Sequence, residues 1–181
     1  KKYSNEIVFL GTLSYWPNVD AIHWFIDKVF PIIRRSLPNT VFKIAGKGKV
    51  KLNSRVHSIP GVELVGAVTS AIDFLSRAAA VVVPVRKGTG MQNKILEAAW
   101  IGKEIICTSF AAEPFNAVCK TGLRIANSPK NFANEIIDVL KNPRGENDME
   151  VWARQIRRDY GLDVLKRQLK NLLLNEYNLG G

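Results

Sequence analysis

The sequence has few of the features that mark secreted, membrane-spanning or metal-binding proteins. It contains 181 residues and only two cysteines, Cys107 and Cys119, whose spacing is not that of a metal site and whose number suits a reduced cytoplasm. No run of about 18 apolar residues occurs, so we predict no transmembrane helix. Lys1–Glu6 is not followed by the apolar stretch and cleavage site of a signal peptide. The first methionine is Met91, and we interpret the chain as a fragment of a longer protein.

Several catalytic motifs are also absent from the sequence. It has no Cys/His cluster for zinc, no G-x-S-x-G nucleophile elbow and no Asp-x-Asp pair for a metal–diphosphate. Gly46-Lys47 is not followed by Ser or Thr, which excludes the Walker A spacing. No nucleophile stands beside a matched base. The sequence therefore identifies no catalytic residue, and we expect no bound metal and no cofactor.

Positive charge is abundant: 26 Lys and Arg face 16 Asp and Glu, a formal net charge of +10. Such an excess favours anionic partners, namely phosphates, nucleic acid or an acidic membrane surface. The charge is spread along the chain, as on an ordinary solvated face. The basic loop Lys47–Arg55 has no interleaved aromatic residues of the kind that bind single strands. We therefore expect no nucleic-acid partner, and the loop is either a solvated connection or part of a ligand-binding edge.

Short apolar runs alternate with helical patterns along the chain. The runs predicted as strands are Glu6–Gly11, Val41–Ala45, Val62–Val65, Ala79–Val85, Glu104–Cys107 and Gly122–Ala126. Such alternation is typical of an α/β fold, and we predict a doubly wound, mostly parallel sheet with helices on both faces. In such sheets ligands bind at the carboxyl ends of the strands.

The patterns between and after the strands predict the helices. The helix containing Val19–Ile33 should kink or break near Phe30, because Pro31 interrupts it. A capping-box pattern at Ser70 and Asp73 and the pair Ser128-Pro129 each predict a helix start, and Glu113-Pro114 should open a short helix. Amphipathic helices are predicted at Asp148–Tyr160 and Asp163–Tyr177, the second with a leucine stripe from Leu162 to Leu173. Residues 1–181 would form one domain, with a helical C-terminal extension over 147–178.

The most informative stretch is Ala79–Ile101. Ala79–Val85 reads as a strand buried on both faces, and Arg86–Gly90 as a turn whose two glycines permit positive φ or close approach to a ligand. From Met91 the composition favours a helix. A strand, a glycine turn and a helix in this order present helix N-terminal amides to an anion, usually a phosphate.

Lys94 and Glu97 lie three residues apart, on one face of that predicted helix. Lys94 can reach a phosphate held by the amides, through an exposed charge contact that salt would screen. Glu97 lies roughly 10 Å from Gly90 along the helix axis and could accept both hydroxyls of a ribose. A surface Lys–Glu pair on an ordinary sheet-packing helix is an equally supported interpretation of these two residues.

The order of these segments resembles the C-terminal, donor-binding domain of a GT-B glycosyltransferase of the large retaining family 4 (group 1). The resemblance covers nearly the whole chain. It is carried by Val8–Gly11, Trp16–Asn18, Asp20-Ala21, Phe42–Gly46, Val62–Val68, Pro84, Gly88–Gly90 and, most specifically, Asn93–Ala98. It implies a Rossmann-like half of a GT-B fold that binds a nucleoside-diphosphate sugar as donor substrate.

The resemblance also implies roles for particular residues. Glu97 matches the second glutamate of the family's E-x7-E motif, which binds the ribose hydroxyls. Amides around Gly90 and Met91 would hold the diphosphate, and Gly11 would line the same pocket. The loop Gly66–Val68 would meet the base.

Two departures from the family pattern concern Thr89 and the cations. Thr89 stands where the first glutamate of E-x7-E normally contacts the donor sugar, so the identity of that sugar is open. Thr12–Val19 lacks the Arg and Lys pair that many members carry after the first strand, and Lys94, or less favourably Arg86, would supply the charge. The Gly88–Gly90 turn would still shape the diphosphate site.

The resemblance implies the donor-binding half of an enzyme that transfers a sugar with retention and without a metal. The acceptor, a glycan or lipid-linked glycan, would bind the absent N-terminal domain, and we expect this chain alone to be inactive. We expect a cytoplasmic location, with peripheral membrane association left open. The alternatives are another GT-B enzyme such as a nucleotide-sugar epimerase, and a non-enzymatic basic α/β module that binds nucleic acid.

Overall fold

The sheet is the centre of the structure, which is a computed structural model describing residues 5–48, 56 and 58–161. Six parallel strands are arranged in the order β3-β2-β1-β4-β5-β6. Their bounds are β1 Glu6–Leu10, β2 Val41–Ala45, β3 Val62–Gly66, β4 Ala80–Val83, β5 Glu104–Cys107 and β6 Leu123–Ile125. The predicted doubly wound parallel sheet is confirmed.

The hydrophobicity of each strand matches its place in the sheet. The central strands β4 and β5 are buried at every residue, because helices cover both faces, and their sequences AVVV and EIIC are almost wholly apolar. The edge strand β3 alternates half-buried with exposed residues. Strand β1 pairs with β2 on one side and β4 on the other, with Ile7 opposite both Phe42 and Ala80. The chain reverses its direction of winding between β1 and β4, and this switch point opens a crevice at the carboxyl ends.

Helices cover the two faces of the sheet. They are α1 Trp16–Trp24, a π-helical segment Phe25–Val29, α2 Phe30–Ser36, α3 Ala71–Ser76, α4 Asn93–Trp100, α5 Ser109–Ala112, α6 Ala117–Thr121, α7 Pro129–Lys141 and α8 Glu146–Tyr160. One core includes α1, the π segment, α2 and α7, with the rings of Phe25, Phe30 and Phe42 in mutual contact. The other core includes α3, α4, α6 and α8.

The first helix shows how the chain accommodates Pro31. Proline has no N–H to donate to the carbonyl four residues before it, as an α-helix requires. The turn before Pro31 therefore widens into the π segment Phe25–Val29. The helix resumes as α2 with Pro31 in its first turn. The predicted disturbance near Phe30 is therefore confirmed as a π segment rather than a break.

Most of the other predicted boundaries agree with the structure. Ser70 caps α3 by accepting a hydrogen bond from the Asp73 amide, and Ser128 caps α7 in the same way. The prediction at Glu113-Pro114 is wrong, because Glu113 ends α5 and the next helix begins at Ala117. Thr108 and Asn116 cap those two short helices through their side-chain oxygens. The local hydrogen bonds of these caps, rather than the proline, decide where the helices start.

Helix α8 packs on α4 and secures its far end. The Arg157 guanidinium donates to the Trp100 carbonyl at 2.6 Å, and the Trp152 indole donates to the Val118 carbonyl at 3.2 Å. Gly122 leaves room for that indole, because a side-chain carbon there would overlap the ring. The predicted extension therefore includes a helix that supports α4. The predicted helix Asp163–Tyr177 and its leucine stripe lie outside the described residues.

Candidate ligand-binding site

A cavity of about 510 Å³ lies at the crevice between β1 and β4. Its wall is formed by residues that follow β1 and β2, by the segment before α3, and by the first turns of α4. This volume lies within the range of small-molecule sites. The position is the one where an open parallel sheet binds its ligands.

The structure brings most of the predicted site residues to this cavity. Those in its wall are Gly11, Val68, Thr89, Met91, Lys94 and Glu97. Gly66, Gly88 and Gly90, all of which are described, are not part of the wall but shape the adjoining loops with φ of 79°, 129° and 82°. These values lie in the region that glycine tolerates best, as the sequence predicted for Gly88 and Gly90.

The start of α1 determines the shape of the glycine turn. A side-chain carbon at Gly88 would come within 3.1 Å of Pro17 and 3.3 Å of the Tyr15 hydroxyl, so the turn passes close to both. The Thr89 amide donates to the Tyr15 hydroxyl at 3.5 Å. The loop after β1 and the loop after β4 therefore touch at the mouth of the cavity.

Arg86 and Lys87 are held away from the cavity wall. Both form ion pairs with Asp20 of α1, at 2.9 Å and 3.2 Å. Arg86 also lies over the Trp24 ring and Lys87 over the Trp16 ring. Burial acts to raise the pKa of Asp20, but the hydrogen bonds from the two cations lower it overall. Arg86 is thus already paired and lies outside the cavity wall, whereas Lys94 and Lys47 are the cations that line it among the described residues.

Lys94 is more deeply buried than the sequence suggested. Its side chain reaches the cavity from α4, but the residue is only 7% exposed. The Nζ atom donates to Asn18 Oδ1 at 2.9 Å and lies 4.5 Å from the centre of the Phe9 ring. Burial lowers the pKa of Lys94 to about 8, and the charge of Glu97 offsets this only in part. The expectation of an exposed, salt-screened charge is therefore wrong, since buried charges are screened much less.

Glu97 lies one turn further along α4, half-buried in the cavity wall. Among the described residues, no ion pair includes Glu97 or Lys94. The interpretation of the two as a surface Lys–Glu pair is therefore not supported. A carboxylate in this position can accept hydrogen bonds from hydroxyl groups of a ligand.

The amides at the start of α4 are placed differently from the prediction. The helix begins at Asn93, two residues after Met91, and Gln92 is its N-cap. The amides of Asn93 and Ile95 are used by the carbonyls of Met91 and Gln92. Gly90 and Met91 therefore belong to the approach to the helix rather than to its first turn.

Sequence reasoning missed the role of Asn18. The motif Trp16–Asn18 includes this residue, but nothing in the sequence alone places its side chain in the site. It is 5% exposed, its Nδ2 donates to the Thr12 carbonyl at 3.0 Å, and its Oδ1 accepts from Lys94. Its signal in the sequence is its place at the start of the helix that follows the first buried strand, near the ligand edge of the sheet.

The described residues also show the state of the two cysteines, whether a metal-binding group or a membrane-spanning helix occurs among them, and where Lys47 lies. Cys107 and Cys119 are free thiols, and both are buried. Residues 5–48, 56 and 58–161 contain no group of three His, Cys, Asp or Glu that could hold a metal ion. No helix in these ranges is long and apolar enough to cross a membrane. Of the basic loop Lys47–Arg55, Lys47 lines the cavity, whereas 49–55 lie outside the described residues.

A comparison with protein families finds a match that covers most of the chain. Residues 4–142 match the family described as glycosyl transferases group 1. A Klebsiella pneumoniae protein, described as an uncharacterized 44.6 kDa protein in the cps region, is 26% identical over 152 residues. That match covers 80% of this chain and 39% of the Klebsiella protein, so the chain spans about two-fifths of its relative.

Solved structures of glycosyltransferases share the fold. A point mutant of Staphylococcus aureus TarM, in complex with fondaparinux, α-GlcNAc-glycerol and UDP, superposes with a TM-score of 0.70 at 16% identity, covering 94% of this chain and 36% of TarM. Anabaena HepE in complex with UDP gives 0.72 at 14% identity, covering 95% and 49%. The catalytic domain of Helicobacter pylori cholesterol-α-glucosyltransferase gives 0.53 at 16% identity, covering 84% and 98%. At these identities the similarity shows the fold.

Proposed function

Since the chain belongs to the group 1 glycosyltransferases, we propose that its cavity binds the nucleoside diphosphate of a sugar donor. The intact protein would transfer the sugar from that donor to an acceptor. The observation that carries the proposal is a buried ammonium without an ion-pair partner among the described residues, in the wall of a cavity at the sheet's switch point. The UDP present in the TarM and HepE structures supports the same class of ligand.

The diphosphate is assigned to the region of Lys94. An anion next to its Nζ would supply the negative charge that the buried side chain lacks, and the approach of Gly90 and Met91 to α4 would add backbone amides. Gly11 permits this arrangement, because a side-chain carbon there would lie 3.1 Å from the Lys94 Nζ and 2.9 Å from the Asn18 Nδ2. Any larger residue at position 11 would crowd the ammonium.

The ribose and the base are assigned to the part of the cavity further along α4. Glu97 would accept the two ribose hydroxyls, which are donors that a carboxylate can bind together. Val68, in the segment that follows β3, offers an apolar surface for the base. The spacing from Lys94 to Glu97 is about one helical turn, roughly 4.5 Å of rise, which is suitable for adjacent parts of one nucleotide.

The sugar is assigned to the mouth of the cavity near Thr89 and Tyr15. Thr89 lines the cavity and its amide already donates to the Tyr15 hydroxyl, so both groups border the same space. Transfer would proceed with retention, as in glycosyltransferase family 4, and without a metal or cofactor. The role of this domain would be electrostatic, because Lys94 stabilises the charge that develops on the leaving diphosphate.

The acceptor is assigned to a part of the protein that this chain does not include. A glycan or lipid-linked glycan would bind there, and a lipid-linked acceptor would bring the protein to a membrane surface. Binding donor and acceptor together in attack geometry needs both walls of a cleft. The chain by itself would bind the donor but would not complete the reaction.

The proposal is tested by thermal shift and calorimetry with UDP, other nucleoside diphosphates and their sugar conjugates. A ligand that binds only the folded state raises the stability by RT ln(1 + [L]/Kd), so a cognate nucleotide at about 100 times its Kd should add about 2.7 kcal/mol. Lys94→Ala should weaken the binding of UDP more than the binding of uridine, because it removes the cation opposite the phosphates. Equal losses for the two ligands would mean that Lys94 is structural.

Competition with an oligonucleotide tests the rival function. A nucleic-acid module would prefer the oligonucleotide and would lose affinity steeply as salt rises, because counterions are released from the phosphates. The proposed donor site should prefer the nucleoside diphosphate. Preference for the oligonucleotide would refute the donor-site proposal.

A further inference from the structure

Lys94 is a buried cation whose contacts within the described residues are all to uncharged groups. Its ammonium donates to the Asn18 amide oxygen and lies over the Phe9 ring. No ion pair of the described residues includes it. A buried charge is costly unless it is paired, because it has lost its hydration. An anion bound in the cavity that Lys94 lines would therefore stabilise its buried ammonium.

Asn18 fixes the position of this ammonium. Its Nδ2 donates to the Thr12 carbonyl at 3.0 Å, so its Oδ1 must face Lys94 and cannot exchange places with the nitrogen. The residue is 5% exposed and has little freedom to turn. On the other sides, the Phe9 ring and the bare Cα of Gly11 confine the Nζ atom. Its remaining open direction is the cavity.

We propose that Asn18 is a positioning residue for anion binding, which holds the Lys94 ammonium against the cavity so that a bound phosphate supplies its missing negative charge. This inference rests on the proposed function of the same cavity. It adds that a residue in the first turn of α1 controls the charge of a residue on α4. A neutral amide suits this task, because a carboxylate at the same place would already neutralise the ammonium.

The burial of Lys94 gives this arrangement a measurable consequence. Its pKa is lowered to about 8, chiefly by burial. An anion bound beside it favours the charged form and raises that pKa, so binding near pH 8 takes up a proton. Above pH 8 the affinity for the anion should fall, by up to about tenfold per pH unit.

The other charges near Lys94 act on it in known directions. Glu97 on α4 raises its pKa. Lys47, which follows β2, is exposed and lines the same cavity with a like charge. On α1, Asp20 is already paired with Arg86 and Lys87. None of these groups donates to or accepts from Asn18 among the described contacts, so changing Asn18 alters the surroundings of Lys94 directly.

The test measures proton uptake on binding of UDP-glucose by calorimetry at pH 8, in buffers that differ in ionisation enthalpy. The diphosphate of this probe does not titrate near pH 8. Wild type should take up about half a proton, since Lys94 is then half ionised. Asn18→Asp should reduce the uptake towards zero and weaken binding about tenfold or more, because its carboxylate both raises the pKa and repels the phosphates. Asn18→Leu should increase the uptake, and lowering the pH should restore its affinity.

A second measurement follows the Lys94 side chain itself. The ¹³Cε resonance of Lys94 is titrated with chloride or sulfate at matched ionic strength, since sulfate is an anion without a nucleoside. Sulfate should raise the pKa of Lys94 in wild type and much less in Asn18→Asp. Asn131→Asp and Asn131→Leu, exposed substitutions on α7, are the matched controls and should leave both measurements unchanged.

The outcomes separate this inference from the proposed function. If UDP-glucose binds but wild type and the Asn18 variants take up the same number of protons, Asn18 is only a structural residue. If sulfate shifts the Lys94 pKa through Asn18 while UDP-glucose does not bind, the anion site stands and the donor function fails. If neither anion affects Lys94, the inference is wrong.

Discussion

Replacement of Glu97 by alanine should abolish recognition of the ribose. The carboxylate lies half-buried in the cavity wall, one turn from Lys94. No ion pair among the described residues includes it. Each hydrogen bond to a charged group contributes about 1.5–3 kcal/mol net. Losing two of them should weaken nucleotide binding on the order of 10²-fold or more, at about 1.4 kcal/mol for each factor of ten.

The assay compares a ribonucleoside diphosphate with its 2′-deoxy and 3′-deoxy analogues by calorimetry. Wild type should discriminate against both deoxy ligands, whereas Glu97→Ala should bind all of them with similar, low affinity. Glu97→Gln keeps the size and one acceptor oxygen, so it should lose less. Glu113→Ala is the control, because Glu113 is an exposed carboxylate outside the cavity wall.

The reasoning would be refuted if Glu97→Ala kept the full discrimination between ribose and deoxyribose. The hydroxyls would then be bound elsewhere, and the role inferred from the family motif would not hold for this residue. A fall in thermal stability without a change in ligand preference would also place Glu97 among the structural residues of α4.

Four further predictions concern turnover and stability. The purified 181-residue chain should bind a nucleoside diphosphate but transfer no sugar in a glycosyl-transfer assay, and robust transfer would contradict the proposed division of roles. Between about pH 8 and pH 10 the unfolded chain holds more protons on Lys94 than the folded chain does, because burial lowers the pKa of Lys94 to about 8. The unfolding free energy measured by chemical denaturation should therefore rise with pH by up to about 3 kcal/mol, and Lys94→Met should remove that rise. Burial acts to raise the pKa of Glu104, but hydrogen bonds from Arg144 lower it overall; Arg144→Met should destabilise by about 3 kcal/mol at neutral pH, and by less as acid protonates Glu104. Gly122→Ala should lower the melting temperature, because its methyl group overlaps the Trp152 indole at a cost of about 1–3 kcal/mol, and an unchanged melting temperature would show that the helix simply moves aside.

The ion pair between Glu104 and Arg144 illustrates why the sequence alone cannot identify such stability sites. Glu104 stands at the start of an apolar strand and reads as an ordinary boundary residue. In the fold, its carboxylate accepts from both Arg144 and Arg124, and it is 5% exposed. The cations come from positions 20 and 40 residues away in the chain. Strand β6, which pairs with β5, places Arg124 beside Glu104, and the segment before α8 brings Arg144 to the same carboxylate.

Local patterns were sufficient where local physics decides the structure. The apolar runs that became β1 and β5 were predicted closely because a strand buried on both faces needs nearly continuous hydrophobic residues. Pro31 indicated the disturbance of the first helix because the missing amide acts on its own turn. The predicted start of α4 was two residues too early, because Met91 and Gln92 suit either the loop or the first turn of the helix. Hydrogen bonds from the Asn93 and Ile95 amides to the Met91 and Gln92 carbonyls decide between the two.

The candidate site likewise has some properties that the sequence alone determines and others that only the packed fold determines. The sequence by itself determined that Lys94 and Glu97 share a helix face behind a glycine turn, because helical spacing is a local property. The tertiary structure alone decided that Lys94 is buried, that Asn18 holds it from 76 residues away, and that its pKa is lowered. These properties depend on the strand order, which places β1 beside β4, and on the loss of water around a charge once those strands and helices have packed.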